Sequence, residues 1–343
     1  MELKKFDYHL PKGLIAQKPL PQRQESRMLV VNRKDNSIQH ARFKDFSRYL
    51  EKNNLLVLND TRVIPARTWG QKKGKEIEFL FLREVKPKTW EVLCRPAKKV
   101  RSKDLIEFSP SLKGEVTQIL PEGRRLIQFS RNNVLDQLHK IGYAPLPPYI
   151  KRDRSETSLN NTDLQRYQTV FARNQGSVAA PTAGLHFTEE ILKKIKQRGI
   201  AHTFITLDVG LATFQPVRVN NIQDHQMLTE EYHISKQSAQ KIERAKKTSN
   251  PVVCVGTTTV RALESAAREE GIQSGHDSTD LFIYPGYKFK VADRLLTNFH
   301  LPCSTLLMLT AAFAGYDFLM QAYEEAVKEK YRFFSYGDCM YIR

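Results

Sequence analysis

The chain has 343 residues, 41% hydrophobic and 27% charged, so it can bury a core and is neither disordered nor collagenous. Its 54 Lys and Arg against 37 Asp and Glu give a formal net charge of +17, which points to a polyanionic partner such as nucleic acid. Four scattered cysteines, Cys94, Cys254, Cys303 and Cys339, argue against a disulfide scaffold or a cysteine zinc site and fit reduced, buried thiols.

The N-terminus, MELKKFDYHLPKG, lacks the apolar stretch of a signal peptide. The longest apolar run, Leu306 to Ala314, is far short of the roughly 20 residues of a membrane span. The expectation is a cytoplasmic, monomeric protein with no membrane and no obligate protein partner. A helix is predicted over Phe43 to Lys52, followed by a buried strand, LLVLND. From about Thr61 the character changes to short β-like runs: EIEFLFLREV, TWEVLCRPA, DLIEFS, GEVTQIL and RRLIQFS. Gly, Pro and charged turns separate them, as in a small antiparallel barrel. It ends near APLPPYIKR, where Pro145, Pro147 and Pro148 forbid regular helix or central strand.

Beyond residue 150 strands and helices alternate. Glu189 to Arg198, Lys236 to Lys247, Thr258 to Glu270, Ser304 to Ala314 and Phe318 to Lys330 read as helices, and HTFITLDV, PVVCVG and LFIYPG as strands. The predicted fold is α/β: a mainly parallel sheet flanked by helices, with an inserted small antiparallel β-barrel. Residues 1–60 and 150–343 form the discontinuous α/β domain and residues 61–149 the barrel domain.

Three loops carry candidate chemistry. VAAPTAGLHFTEE, from Val178, presents Thr182, Gly184 and His186 ahead of a helix that Thr188 can cap. VVCVGTTTVRALES sends a buried strand through Gly256 into Thr257, Thr258 and Thr259, whose hydroxyls and amides at a helix N-terminus suit a carboxylate, phosphate or ribose. TNFHLPCSTLLML places His300 before a Ser-capped apolar helix. Each also reads as an ordinary capped turn. His225, Glu230, Glu231 and His233 in DHQMLTEEYHI lack the spacing of a zinc signature, so no metal is expected. Two basic groups suit phosphates or bases: Lys72, Lys73, Lys98 and Lys99 on predicted barrel loops, and Arg62 and Arg67 around a proline turn near Trp69.

Taken together, the stretches LIAQKPLPQRQESRML, NDTRVIPAR, PLPPYI, YQTVFA, AAPTAGLHF, TFQPV, VGTTTVRALES, FIYPG, TNFHLPCSTLLML, FAGY and KYRFFSYGD closely resemble, in order, the S-adenosylmethionine:tRNA ribosyltransferase-isomerase family of queuosine biosynthesis. The resemblance implies transfer and isomerisation of the ribosyl part of S-adenosylmethionine onto 7-aminomethyl-7-deazaguanine at the tRNA wobble position. Epoxyqueuosine forms, and adenine and methionine leave. S-Adenosylmethionine is then a consumed co-substrate, no other cofactor is needed, and the partner is an anticodon stem-loop. On this reading His186 is the leading base or proton shuttle, with Thr182 and His300 beside it, and Gly184 and Gly256 to Thr259 hold the donor. Arg62, Arg67, Lys72, Lys73, Lys98 and Lys99 would line the approach of tRNA. Three departures stand out. Asp208 replaces the histidine of the family's L-H-V-G, Ala212 a glycine, and Leu228 the second histidine of H-x-M-H. A non-catalytic RNA-binding protein on the same scaffold and an S-adenosylmethionine-dependent RNA methyltransferase are the rival readings. The latter lacks the usual glycine-rich loop near the N-terminus.

Overall fold

The structure, a computed structural model, describes residues 1–153, 157–210 and 217–343; Ala212 lies outside them. A nine-stranded sheet forms the backbone of the molecule. Its order is Gly275–Thr279, Glu230–Ile234, Ala201–Leu207, Leu55–Asn59, Val252–Val255, Arg294–Asn298, Cys339–Ile342, Arg27–Asn32, Ser37–Arg42. The four strands from Ala201–Leu207 to Arg294–Asn298 run parallel. Cys339–Ile342 is antiparallel to Arg294–Asn298 and parallel to Arg27–Asn32, and both edges of the sheet are antiparallel.

The central strand Leu55–Asn59 is buried throughout, as expected of a strand covered on both faces. Its side chains alternate between two cores. Leu55 and Val57 pack with residues of the helices Lys236–Lys247, Thr257–Ala266, Thr305–Ala314 and Tyr316–Lys328. Leu56 and Leu58 face the 3₁₀ turn Phe43–Tyr49 and the helix Glu189–Gln197. No single helix among the described residues is long and apolar enough to cross a membrane.

A closed six-stranded barrel is the second body. It is built from Arg67–Lys72, Lys75–Lys86, Thr89–Arg95, Leu105–Ser109, Leu112–Ile119 and Arg124–Phe129 around a core of Phe79, Phe81, Val92, Ile106, Val116 and Ile127. The helix Val134–Ile141 buries Val134 and Leu138 against that core. Asn174–Ser177 pairs in parallel with Thr61–Val63 where the chain leaves the sheet for the barrel.

Several elements differ from the sequence expectation. LFIYPG is irregular; the strand in that region is Gly275–Thr279, whose GHDST has no apolar alternation to reveal an edge strand. The first barrel strand, Arg67–Lys72, was obscured by Gly70, which is there because a Cβ would come within 2.5 Å of Ile106 Cγ2. The helix expected over Phe43 to Lys52 is a 3₁₀ turn ending at Tyr49.

Gly142 joins the barrel helix to its base. Its N–H caps the helix on Leu138 O at 2.7 Å, and a Cβ there would sit 2.0 Å from Pro65 O and 2.6 Å from Leu138 O. Both clashing atoms are backbone, so relief requires moving the helix off the barrel. Gly142→Ala should destabilise the protein by about 1–3 kcal/mol, the usual range for overpacking. A urea denaturation midpoint equal to that of the wild type would contradict this.

Candidate functional site

Three of the parallel strands end at a common rim, where α/β sheets hold ligands. Val255 leads into Gly256–Thr258, Asn298 into Phe299–Leu301, and Leu207 into Val209. A cleft opens there, lined by Thr182, Ala183, Val209, Gly256, Thr257, Thr258, Thr297, Asn298, His300, Ser304 and other residues. The sequence expectation that the three loops share a space is therefore met for Thr182, Gly256, Thr257, Thr258 and His300.

Local chemistry explains how each loop is held. Gly256 has φ +91°, a conformation that suits glycine, and turns the chain from strand into helix. Ser304 Oγ caps the helix Thr305–Ala314 by accepting from Leu307 N at 3.2 Å. The cleft thus meets the N-termini of two ten-residue helices, whose free amides and positive dipole ends favour acceptors and anions. Asn59, at the end of its strand, replaces lost ladder bonds. Its Nδ2 donates to Leu207 O at 3.0 Å, and its Oδ1 accepts from the amides of Thr61 and Leu207 at 3.1 Å each. Nδ2 also lies 3.4 Å from Thr258 Oγ1, tying the threonine loop to the sheet. Among the described residues lining the cleft, none is acidic or basic apart from His300.

His186, Gly184 and Thr259 do not reach this space. Gly184 is buried against Thr169 and Phe171, and Thr259 Oγ1 turns inward to donate to Val255 O at 2.7 Å. His186 lies behind the wall at 3% exposure, its ring 5.3 Å from that of Phe43. Both ring nitrogens are engaged. Ser26 Oγ gives its only proton to Arg23 O at 2.9 Å, so His186 Nδ1, 3.0 Å away, must be the donor to Ser26. Nε2 is then a lone pair, 3.3 Å from Asn298 Nδ2. Burial, helped by the charges of Arg23 and Arg332, lowers the pKa of His186 to about 3 and keeps the ring neutral.

His300 is different. Its Nε2 pairs with Thr297 Oγ1 at 2.8 Å, while Nδ1 has no protein partner among the described residues. Burial lowers its pKa to about 3. Asn298, beside it, was not singled out from the sequence. The signal was there: a polar Thr-Asn pair ends an apolar strand, as Asn59-Asp60 ends another.

A larger, acidic cleft continues from Val209 between sheet and barrel. Glu91, Glu122, Asp208, Glu230 and Glu231 line it together with Arg83 and Arg124. Leu228 and Gly210 carry it on to Arg67, Glu78 and the Pro145–Pro148 loop. Asp208 Oδ1 accepts from Thr61 Oγ1 at 2.7 Å, and a Cβ on Gly176 would fall 2.5 Å from Asp208 Oδ2. Burial, reinforced by Glu231, Asp60 and Glu230, pushes the Asp208 carboxyl above the usual carboxylate range, against the opposing hydrogen bond from Thr61. Glu230 is held by buried Arg261 and by Gly210 N at 2.9 Å, and His233 stacks on His276.

Of the basic residues, Arg62, Lys73, Lys98 and Lys99 are exposed. Two spend their charge inside the protein. Arg67, on the cleft wall, donates to Leu146 O at 2.8 Å and pairs with Glu78 at 3.4 Å. Lys72 pairs with Asp104 at 2.5 Å and donates to Lys99 O at 2.7 Å.

Comparison with known proteins agrees with this architecture. A family model described as queuosine biosynthesis protein matches residues 3–342. The S-adenosylmethionine:tRNA ribosyltransferase-isomerases of Halothermothrix orenii and Clostridium kluyveri are 49% and 48% identical, over 100% of both chains in each case. The crystal structure of the S-adenosylmethionine tRNA ribosyltransferase from Thermotoga maritima is 37% identical, covers 99% of this chain and 100% of its own, and superposes with a TM-score of 0.56. The chain belongs to the queuosine biosynthesis protein family.

Proposed function

We propose that this chain transfers and isomerises the ribosyl moiety of S-adenosylmethionine onto 7-aminomethyl-7-deazaguanine at the tRNA wobble position, releasing adenine and methionine. The observation that carries the reading is the rim cleft, which gathers Thr182, Gly256–Thr258 and His300 from three distant stretches and opens beside the acidic cleft under the barrel. Residues 1–60 and 150–343 act as the catalytic domain, and the inserted 61–149 domain as the wall that the anticodon loop meets.

The two spaces suit two substrates. The rim cleft has no acidic side chain and two helix N-termini, a setting for the donor's uncharged nucleoside or its carboxylate. The second space is acidic, a setting for the cationic aminomethyl group of the tRNA base. The sulfonium acidifies the methylene beside it. Removal of a proton there opens the ribose and expels adenine; the aminomethyl nitrogen then attacks, and epoxide closure expels methionine. A different group faces each space: neutral His300, which burial makes a weak base and a hydrogen-bonding partner for the donor, and Asp208 on the tRNA side, which can take a proton. Its raised pKa makes Asp208 a stronger acceptor than an ordinary carboxylate. His186 then holds the wall and does not meet the substrate.

The direct test supplies the purified protein with S-adenosylmethionine and precursor tRNA and follows free adenine and methionine. Release of both, with the methyl group retained on methionine, is expected; methyl transfer to RNA, or no adenine, would contradict the proposal. His300→Ala should lower adenine release about tenfold, the usual worth of one hydrogen bond to the reacting donor, and a rate within twofold of wild type would remove it from the mechanism. For Asp208, the acid limb of kcat should fall above the ordinary carboxylate range, because the carboxylate must be ionised to accept a proton. Asp208→Asn should lose that limb along with most activity, whereas Asp208→His, the family's usual residue, should keep activity. An unchanged pH profile in Asp208→Asn would rule the carboxylate out. Binding of tRNA should weaken steeply with salt, and Lys73→Ala or Lys98→Ala should each reduce the log–log slope by about one if each lysine neutralises one phosphate. A flat salt dependence would contradict the barrel approach.

A further inference from the structure

Asn298 ends the strand Arg294–Asn298, is 2% exposed and lines the rim cleft. Its amide orientation is dictated by its neighbours. Nδ2 donates to Phe334 O at 3.0 Å and faces Asp338 O at 3.4 Å; both are carbonyls, so an oxygen in that position would have no proton to accept. The other amide proton is aimed at His186 Nε2, left unprotonated because Nδ1–H is committed to Ser26. Every donor of the amide is therefore used within the protein. The carbonyl oxygen, Oδ1, is buried and has no hydrogen-bond partner among the described residues. A buried acceptor left unmade costs about 1–3 kcal/mol, so a ligand that brings a donor to it recovers that cost.

Building on the function proposed above, we propose that Asn298 Oδ1 accepts a hydrogen bond from the adenosyl group of S-adenosylmethionine, and that His186 is the positioning residue that fixes the orientation of this amide. An acceptor calls for a donor. The donor's ammonium is a poor match, because no carboxylate lines the cleft and two helix N-termini point their positive ends at it. The adenosyl group offers neutral donors, the exocyclic amine of adenine and the ribose hydroxyls, and the cleft offers Tyr149, Phe299 and Phe334 as aromatic wall for a purine. The arrangement also explains a neutral histidine in this position. Protonated His186 would point a second N–H at the Asn298 amide and turn it over, withdrawing the acceptor.

The probe is 5′-methylthioadenosine, which carries the adenosyl group without the amino acid, compared by calorimetry with 5′-methylthioinosine and with its 2′-deoxy and 3′-deoxy analogues. The wild type should bind one of the three analogues about tenfold more weakly than the parent, the worth of one hydrogen bond to a buried acceptor. Loss with the inosine analogue assigns the donor to the adenine amine, loss with a deoxy analogue to that hydroxyl. Asn298→Ala should erase the discrimination and raise KM for S-adenosylmethionine while leaving KM for tRNA unchanged. His186→Leu should weaken the discrimination, and His186→Gln, which restores an acceptor for Asn298 Nδ2, should recover part of it. Should Asn298→Ala not fold, the analogue series on the wild type decides alone. No binding of 5′-methylthioadenosine, equal binding of all four compounds, or undiminished discrimination in a folded Asn298→Ala protein would overturn the proposal. Adenine release by the wild type is measured separately, so loss of this inference leaves the reaction itself intact.

Discussion

Parallel strands that splay apart at their carboxyl ends lose the hydrogen bonds of the ladder, and those ends must be tied by other means or filled with water. In this protein asparagines perform that task. Asn59 bridges its own strand to Leu207 on one side and approaches Thr258 on the other. Asn298 ties its strand end to Phe334 and to His186. Because the rim is fixed by side-chain amides, the backbone beyond it is free to open into a cleft while both sheet faces stay sealed by hydrophobic cores. The position of Thr182, the threonine loop and His300 follows from this constraint.

Electrostatics then separates two neighbouring spaces. The rim cleft excludes charged side chains, and burial keeps its histidine neutral. Across Val209 the cleft under the barrel gathers carboxylates, and burial, reinforced by these neighbours, raises the proton affinity of Asp208. The formal net charge of +17 belongs to the chain as a whole, and Arg62, Lys73, Lys98 and Lys99 among its basic residues are exposed. In the proposed reaction a neutral pocket for a nucleoside beside an acidic one for an amine places the two reacting carbons and nitrogen at their common boundary.

Much of this was legible in the amino-acid sequence. Leu55–Asn59 and Val252–Val255 are continuous apolar runs, and Thr188 and Ser304 cap helices where their neighbours predict. The barrel strands announced themselves by alternation between charged turns. Gly275–Thr279 did not, since an exposed edge strand needs no apolar face. Within the site, loop composition brought forward Thr182, Gly256–Thr258 and His300, which share one cleft, and His186, which lies behind its wall. A histidine after a glycine turn is equally suited to face ligand or core, and the choice was made by Ser26, Arg23 and Asn298, residues far away in the chain. For the same reason the paired charges of Lys72 and Arg67 could not be foreseen: Asp104 and Glu78 meet them only in the closed barrel.

The central claim is that donor and tRNA base occupy separate, adjoining spaces, and a crystal structure with 5′-methylthioadenosine and an anticodon stem-loop bearing the precursor base tests it most directly. The account predicts the adenosyl group between the Gly256–Thr258 turn and His300, with the aminomethyl group beyond Val209 near Asp208. Density for the adenosyl group in the acidic cleft under the barrel, with the rim cleft empty, would contradict it.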